Sequence, residues 1–90
     1  GVHGAYAAGM LYLWGQIPEA LALAETAAED PFAADSALGL LLRHHQLRRD
    51  ALGQYRIFRR LHQRRPDDPD IRNNLAYFAA LTGQNLALAL

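Results

Sequence analysis

Apolar residues recur at helical spacing along most of the chain, and the clearest example is the segment 65–84. Asp68 precedes its apolar face as a candidate N-cap, and Pro69 fits the first turn, where its missing N–H costs nothing. Gly83 follows the last periodic position, as a helix-terminating glycine does. The periodic positions are Ile71, Leu75, Phe78, Ala79 and Thr82. This segment therefore predicts a helix over 69–82.

The same periodicity predicts helices over about 2–14, 19–29, 32–45 and 48–64, and the start of a sixth helix near Asn85. Asp30-Pro31 repeats the acid–proline start signal, and His44, His45 and Gln46 are predicted to form a turn without glycine. The fourth helix is amphipathic. Its predicted apolar arc contains Leu47, Ala51, Tyr55, Phe58 and Leu61, and the arginines on the opposite side are Arg48, Arg49, Arg56, Arg59 and Arg60. The core is expected where helices four and five meet, at Tyr55, Phe58, Leu61, Leu75 and Phe78.

Composition strengthens the helical interpretation. Apolar residues make up 51% of the 90 residues, and most of them are Ala and Leu, which favour helices. Val2 is the only valine and there are three isoleucines, which argues against a sheet. Ninety residues suit one small domain.

Helix pairs that recur with a period of about 34 residues resemble tetratricopeptide repeats. The second unit carries the resemblance best, with Leu38-Gly39-x2-Leu42 followed by Ala51-x3-Tyr55, although Pro66 comes about three residues late. The interval from Gly15 to Gly83 is twice that period. The individual steps are irregular, since the step from Ala20 to Ala51 is shorter than the period and the step from Leu38 to Leu75 is longer.

The resemblance implies an all-α fold of antiparallel helix pairs stacked as a right-handed superhelix, an α-α solenoid. The repeats would cover about 1–31, 32–68 and an incomplete 69–90. Because the last helix is incomplete, the chain is expected to be an excerpt of a longer protein. The alternative is an all-α bundle unrelated to this family.

In the repeat family, the first helix of each pair lines a groove that holds a peptide or a partner helix. The corresponding residues are Tyr6, Tyr12, Leu40, Asn73, Asn74 and Tyr77. Aromatic and amide side chains suit peptide contacts, although Tyr6 and Tyr77 fit packing between helices equally well. One subgroup clamps a terminal carboxylate, but apart from Asn74 this chain lacks the clamp residues, and the corresponding positions hold Ala5, Gly9, Ala37 and Asp70. The resemblance thus implies a partner that is another protein or peptide.

Charge is unevenly distributed although the net charge is zero. Residues 19–35 carry five carboxylates and no basic residue, whereas 43–65 carry eight of the nine arginines. The basic face suggests an alternative function, polyanion or RNA binding through Arg49, Arg56, Arg59 and Arg60. Nucleic acid is disfavoured because the arginine face carries no aromatic platform on which bases could stack, and a solvated helix face explains the arginines as well.

Candidate catalytic chemistry is sparse. No hydroxyl residue sits in a glycine-flanked elbow, and no glycine-rich phosphate loop is present. His44 and His45 point about 100° apart on a helix, which does not favour one shared metal ion. We therefore expect no enzymatic activity, no cofactor, no metal and no small-molecule substrate.

Two expectations concern the chain as a whole. The longest apolar stretch, around residues 5–14, is too short to span a bilayer. Leu86, Leu88 and Leu90 form an apolar end where a repeat array needs a polar cap, which predicts weak homo-oligomerisation through this end.

Overall fold

The computed structural model describes the backbone of residues 2–84 and the side chains of residues 4–84, and within this range the chain is all-α. Five helices follow one another in the order α1 (Val2–Leu13), α2 (Ile17–Ala27), α3 (Ala34–Leu47), α4 (Ala51–Arg64) and α5 (Pro69–Thr82). Helix α1 packs against α2, and α4 packs against α5. The chain divides into two compact units, unit 1 (Gly1–Arg43) and unit 2 (His44–Leu90).

Unit 1 is packed mainly through alanines. Ala8, Ala20 and Ala24 are fully buried. A second cluster joins Ala27, Ala33 and Ala37, with Ala5 and Ala28 packed against it. Gly4 lies close to α2, since a Cβ built on it would be 3.6 Å from that of Ala27. Small residues thus let these helices approach closely, as expected from the glycines and alanines of α1.

Unit 2 has a core of larger side chains. Tyr55, Phe58 and Leu75 are buried as predicted, and the rings of Phe58 and Phe78 stack with centroids 5.6 Å apart and planes 13° apart. Leu61 and Phe78 are half-buried. Ile57 is also buried, although it lies outside the arc predicted for helix four.

The predicted start and end of α5 are confirmed. The Asp68 carboxylate accepts hydrogen bonds from the backbone N–H groups of Asp70 (2.9 Å) and Ile71 (3.2 Å). Gly83 ends the helix in the left-handed conformation, at φ 75° and ψ 19°. Both features satisfy backbone groups that a helix end leaves without an intrahelical partner.

Three residues of the described chain have left-handed backbone conformations: Gly15 (φ 82°), Arg49 (φ 54°) and Gly83 (φ 75°). Each follows the end of a helix, and Arg49 lies midway along the sequence between the two glycines. At all three, the residue's N–H donates to the carbonyl three residues earlier, and the next N–H donates to the carbonyl five residues earlier, at 2.8–3.3 Å. This is the Schellman arrangement of a helix C-terminus.

The turn between α3 and α4 differs from the prediction. His44, His45 and Gln46 are helical, because α3 continues to Leu47 before Arg49 ends it. Helix α4 begins only at Ala51, where the Asp50 side chain caps it by accepting from the Gly53 N–H at 2.9 Å.

The predicted start of helix four is therefore three residues early, and the predicted apolar arc is wrong at Leu47. Arg48 and Arg49 lie in the turn. Leu47 lies at the end of α3 and is 65% exposed, so it does not belong to the apolar arc.

The predicted start of helix three is two residues early. Asp30 does not cap a helix at Phe32. Its carboxylate accepts from the Phe32 N–H at 2.9 Å and so closes a turn, and α3 begins at Ala34. Helix α2 begins two residues earlier than predicted, at Ile17, with Pro18 in its first turn.

The predicted sixth helix and the leucines proposed for self-association lie outside the described residues. No helix of the described part is long and apolar enough to cross a membrane.

Candidate functional site

Helix α5 presents a mixed amide, aromatic and aliphatic surface to solvent. Leu75 and Ala79 are its buried positions, and Asn73, Asn74, Tyr77 and Leu81 are exposed. These four residues, here called the α5 surface, share one side of the helix, because Tyr77 lies three or four residues from each of the other three. The three α5 residues predicted to bind a partner are therefore brought together, with Leu81 as an additional neighbour.

Tyr77 dominates this surface. It is 61% exposed, which favours the solvent-facing alternative over packing between helices. Its ring meets that of Phe78 edge-on, with centroids 5.0 Å apart and planes 88° apart. Phe78 in turn stacks on the buried Phe58. The exposed Tyr77 ring is thus connected to the core of unit 2 through its contact with Phe78.

The backbone beneath the α5 surface is held at both ends. Asp68 caps the first turn, and the Thr82 hydroxyl donates to the Phe78 carbonyl at 2.6 Å in the last turn. A binding surface on a capped helix keeps its side chains in a fixed relation, so less conformational freedom is lost when a ligand binds.

The predicted residues of unit 1 are not gathered in the same way. Tyr6 on α1 is 71% exposed, whereas Tyr12 and Leu40 are half-buried. Tyr6 lines a cleft of about 240 Å³ together with Ala5, Phe32, Ala33 and Ser36. The sequence does not predict Phe32 as a site residue. The predicted helix three begins at Phe32, and nothing in that prediction indicates that the ring is exposed.

The arginines of the alternative site are also distributed over two elements. Arg56 and Arg59 are exposed and three residues apart on α4, so they share a face of that helix. Arg60 is half-buried, and Arg49 belongs to the α3–α4 turn. The basic surface on α4 is therefore narrower than the sequence predicted.

The α3–α4 turn contains a histidine–carboxylate contact. His45 Nδ1 lies 3.3 Å from Asp50 Oδ2, while Asp50 Oδ1 accepts from the Gly53 N–H. That backbone hydrogen bond holds the pKa of Asp50 below its ordinary value. The same Asp50 carboxylate caps α4 and contacts His45. Both side chains therefore stabilise the α3–α4 turn, which is a structural role.

His44 contributes to the same region from the inner side of α3. It is buried, and its ring meets that of His45 at a centroid distance of 5.6 Å. Burial lowers the pKa of His44, since the charged imidazolium is disfavoured away from water, and the neighbouring His45 and Arg48 act in the same direction. In the described part of the chain, no group of three or more potential ligand side chains could hold a metal ion.

Comparisons with protein-family models, with curated proteins and with solved structures found no match to this chain.

Proposed function

We propose that this chain is a non-catalytic protein-interaction module that binds a peptide or partner helix through the α5 surface. The observation that carries the proposal is the exposed Tyr77 ring, supported from the core and flanked by two exposed amides. An aromatic ring supplies a large contact area at little cost in side-chain entropy, and amides can pair with peptide backbone groups.

The finer architecture proposed is a tetratricopeptide-like array of helix pairs. Three evenly spaced Schellman turns support it, because a helix–turn–helix repeat of constant length is expected to place one turn of this kind in each repeat. The second turn has Arg49 where the other two have glycine, so the positions of glycine in the sequence do not indicate this turn. In such an array the α5 surface, Tyr6, Tyr12 and Leu40 all belong to first helices of pairs.

The experiment begins with a peptide library selected against the wild-type protein. The best peptide is then measured against Asn74→Ala and Tyr77→Ala. Each substitution removes an exposed side chain, so the fold is expected to persist, and circular dichroism checks this. We expect Tyr77→Ala to weaken binding about tenfold or more if Tyr77 is the central anchor. Arg56→Ala is the matched control on α4.

The second candidate function is polyanion binding through Arg56 and Arg59, favoured by their exposure on one face of α4. A single-stranded RNA oligonucleotide is the probe. Binding that falls steeply with salt and is lost in Arg56→Glu/Arg59→Glu would support this candidate. Peptide binding that is insensitive to salt and to that double substitution supports the proposed module.

A further inference from the structure

The cleft of unit 1 combines two exposed aromatic rings with a floor of small side chains. Tyr6 from α1 and Phe32 from the turn before α3 both line it, and Phe32 is 89% exposed. Ala33 is buried at its base. An aromatic ring so far from the core contributes little to folding, and two such rings at one cleft form an exposed apolar surface of the kind found at interaction sites.

The backbone of this turn holds the Phe32 ring outward. Asp30 Oδ1 accepts from the Phe32 N–H at 2.9 Å, and the Ala33 N–H donates to the Asp30 carbonyl at 3.0 Å. Ala33 is anchored in turn in the alanine cluster with Ala27 and Ala37. The backbone on either side of Phe32 is therefore held in place, by hydrogen bonds to Asp30 before it and by the packing of Ala33 after it.

The sequence around the segment that lines the cleft is acidic. No arginine or lysine precedes Arg43, while five carboxylates lie between residues 19 and 35. Asp30 and Asp35 flank the lining segment 32–36 in sequence. The hydrogen bond from the Phe32 N–H holds the pKa of Asp30 below its ordinary value, so this carboxylate is ionised at neutral pH.

We infer that this cleft binds an arginine side chain of a partner protein. A guanidinium is planar and cationic, so it suits contact with the exposed rings of Tyr6 and Phe32, and the carboxylates of Asp30 and Asp35 beside the lining segment favour a positive charge. The volume is below the roughly 300 Å³ at which pockets for small organic ligands begin, which suits a single side chain. The site stands on unit 1 alone, so it holds or fails independently of the α5 surface.

The test is an NMR titration with a capped glycine pentapeptide that carries arginine at its centre. The matched probe carries norleucine, which keeps an apolar stem and removes the charge. We expect the arginine peptide to shift the resonances of Tyr6, Phe32 and Ser36, and the norleucine peptide to bind at least about fivefold more weakly.

Three variants locate the site. Tyr6→Ala and Phe32→Ala are each expected to weaken arginine-peptide binding by about two- to fivefold, as the loss of one exposed cation–π contact implies. Asp35→Asn should weaken it through loss of charge, more at low salt than at high salt. Tyr77→Ala, on the α5 surface, is the matched aromatic control and should leave binding unchanged.

Three outcomes would overturn the inference. Equal binding of both peptides would show an apolar docking cleft without preference for a cation. Binding unaffected by Tyr6→Ala and Phe32→Ala would place the arginine elsewhere. Self-association of the wild-type protein that Phe32→Ala abolishes would identify the occupant as a second copy of this chain.

Discussion

At the scale of single residues, backbone conformation at the helix ends determines where the chain turns. Gly15 and Gly83 adopt positive φ without a steric penalty, whereas a side chain in this region costs about 1–2 kcal/mol. Arg49 occupies the equivalent position in the α3–α4 turn and bears that cost. These three residues provide a direct test of the turns.

We expect Arg49→Gly to raise the free energy of unfolding by about 1 kcal/mol, because glycine relieves the left-handed strain at this position. Gly83→Ala should lower it by a similar amount. Urea denaturation measures both. Arg48→Gly, one residue earlier in the same turn, is the control and should not stabilise; a gain there equal to that at Arg49 would contradict the explanation by φ.

Two helical glycines are predicted to respond in opposite directions to alanine. A Cβ built on Gly53 overlaps the His45 ring and lies 2.7 Å from Asp50 Oδ2, so Gly53→Ala must displace these two side chains, of which Asp50 caps α4. We expect a loss of about 1–3 kcal/mol in unfolding free energy, in spite of the higher helix propensity of alanine.

Gly39 supplies the matched control. A Cβ there meets no heavy atom within 4 Å, so Gly39→Ala should stabilise by about 0.5–1 kcal/mol. Thermal and urea unfolding of the two variants measure the pair. A neutral Gly53→Ala would show that His45 does not pack against the start of α4.

His44 makes stability depend on pH near neutrality. Its pKa is lowered in the folded protein, so the unfolded chain binds a proton more readily, and stability falls as pH drops below the ordinary value of 6.5. Unfolding free energies at about pH 7.5 and 5.5 measure this, and the difference should shrink in His44→Leu. An unchanged pH dependence in that variant would assign the effect to other groups.

At the scale of helices, α5 could be predicted almost completely from sequence and the α3–α4 boundary could not. Asp68, Pro69 and Gly83 are local signals whose effect depends little on the rest of the fold. The end of α3 has no glycine, and Arg49 adopts a conformation that its residue type disfavours. The capping role of Asp50 could not be predicted either, because the predicted helix four begins two residues before it.

The packing of α4 on α5 predicts a large cost for removing Phe58. It is 7% exposed and stacks on Phe78, so Phe58→Ala should lose about 3–5 kcal/mol of unfolding free energy. Chemical denaturation is the measurement. Leu52→Ala, at an exposed position of the same helix, should cost less than about 1 kcal/mol. Similar losses for the two variants would contradict the observed orientation of α4.

At the scale of the whole molecule, the two units differ in what they bury. Unit 1 is packed mainly through alanines and unit 2 through aromatic and branched side chains. Because buried apolar area is smaller for alanine, we expect amide hydrogens of α1 and α2 to exchange faster than those of α4 and α5. Hydrogen exchange followed by NMR measures this, and equal protection throughout would contradict it.

Of the two candidate surfaces, the α5 surface could be predicted from sequence and the Tyr6–Phe32 cleft could not. Asn73, Asn74 and Tyr77 fall on one side of a helix whose bounds were predicted correctly, so their common exposure followed from spacing alone. The Tyr6–Phe32 cleft depends on the turn at Asp30, whereas the sequence predicts a helix start there. Only the backbone geometry places that ring in solvent.

The measurement that tests the central claim most directly is the affinity of the selected peptide for wild type, Tyr77→Ala and Arg56→Glu/Arg59→Glu. We predict binding to the wild type that weakens about tenfold or more with Tyr77→Ala and is unchanged in the arginine double variant. Unchanged affinity with Tyr77→Ala, together with loss in the arginine double variant, would contradict the account and place binding on the basic face of α4.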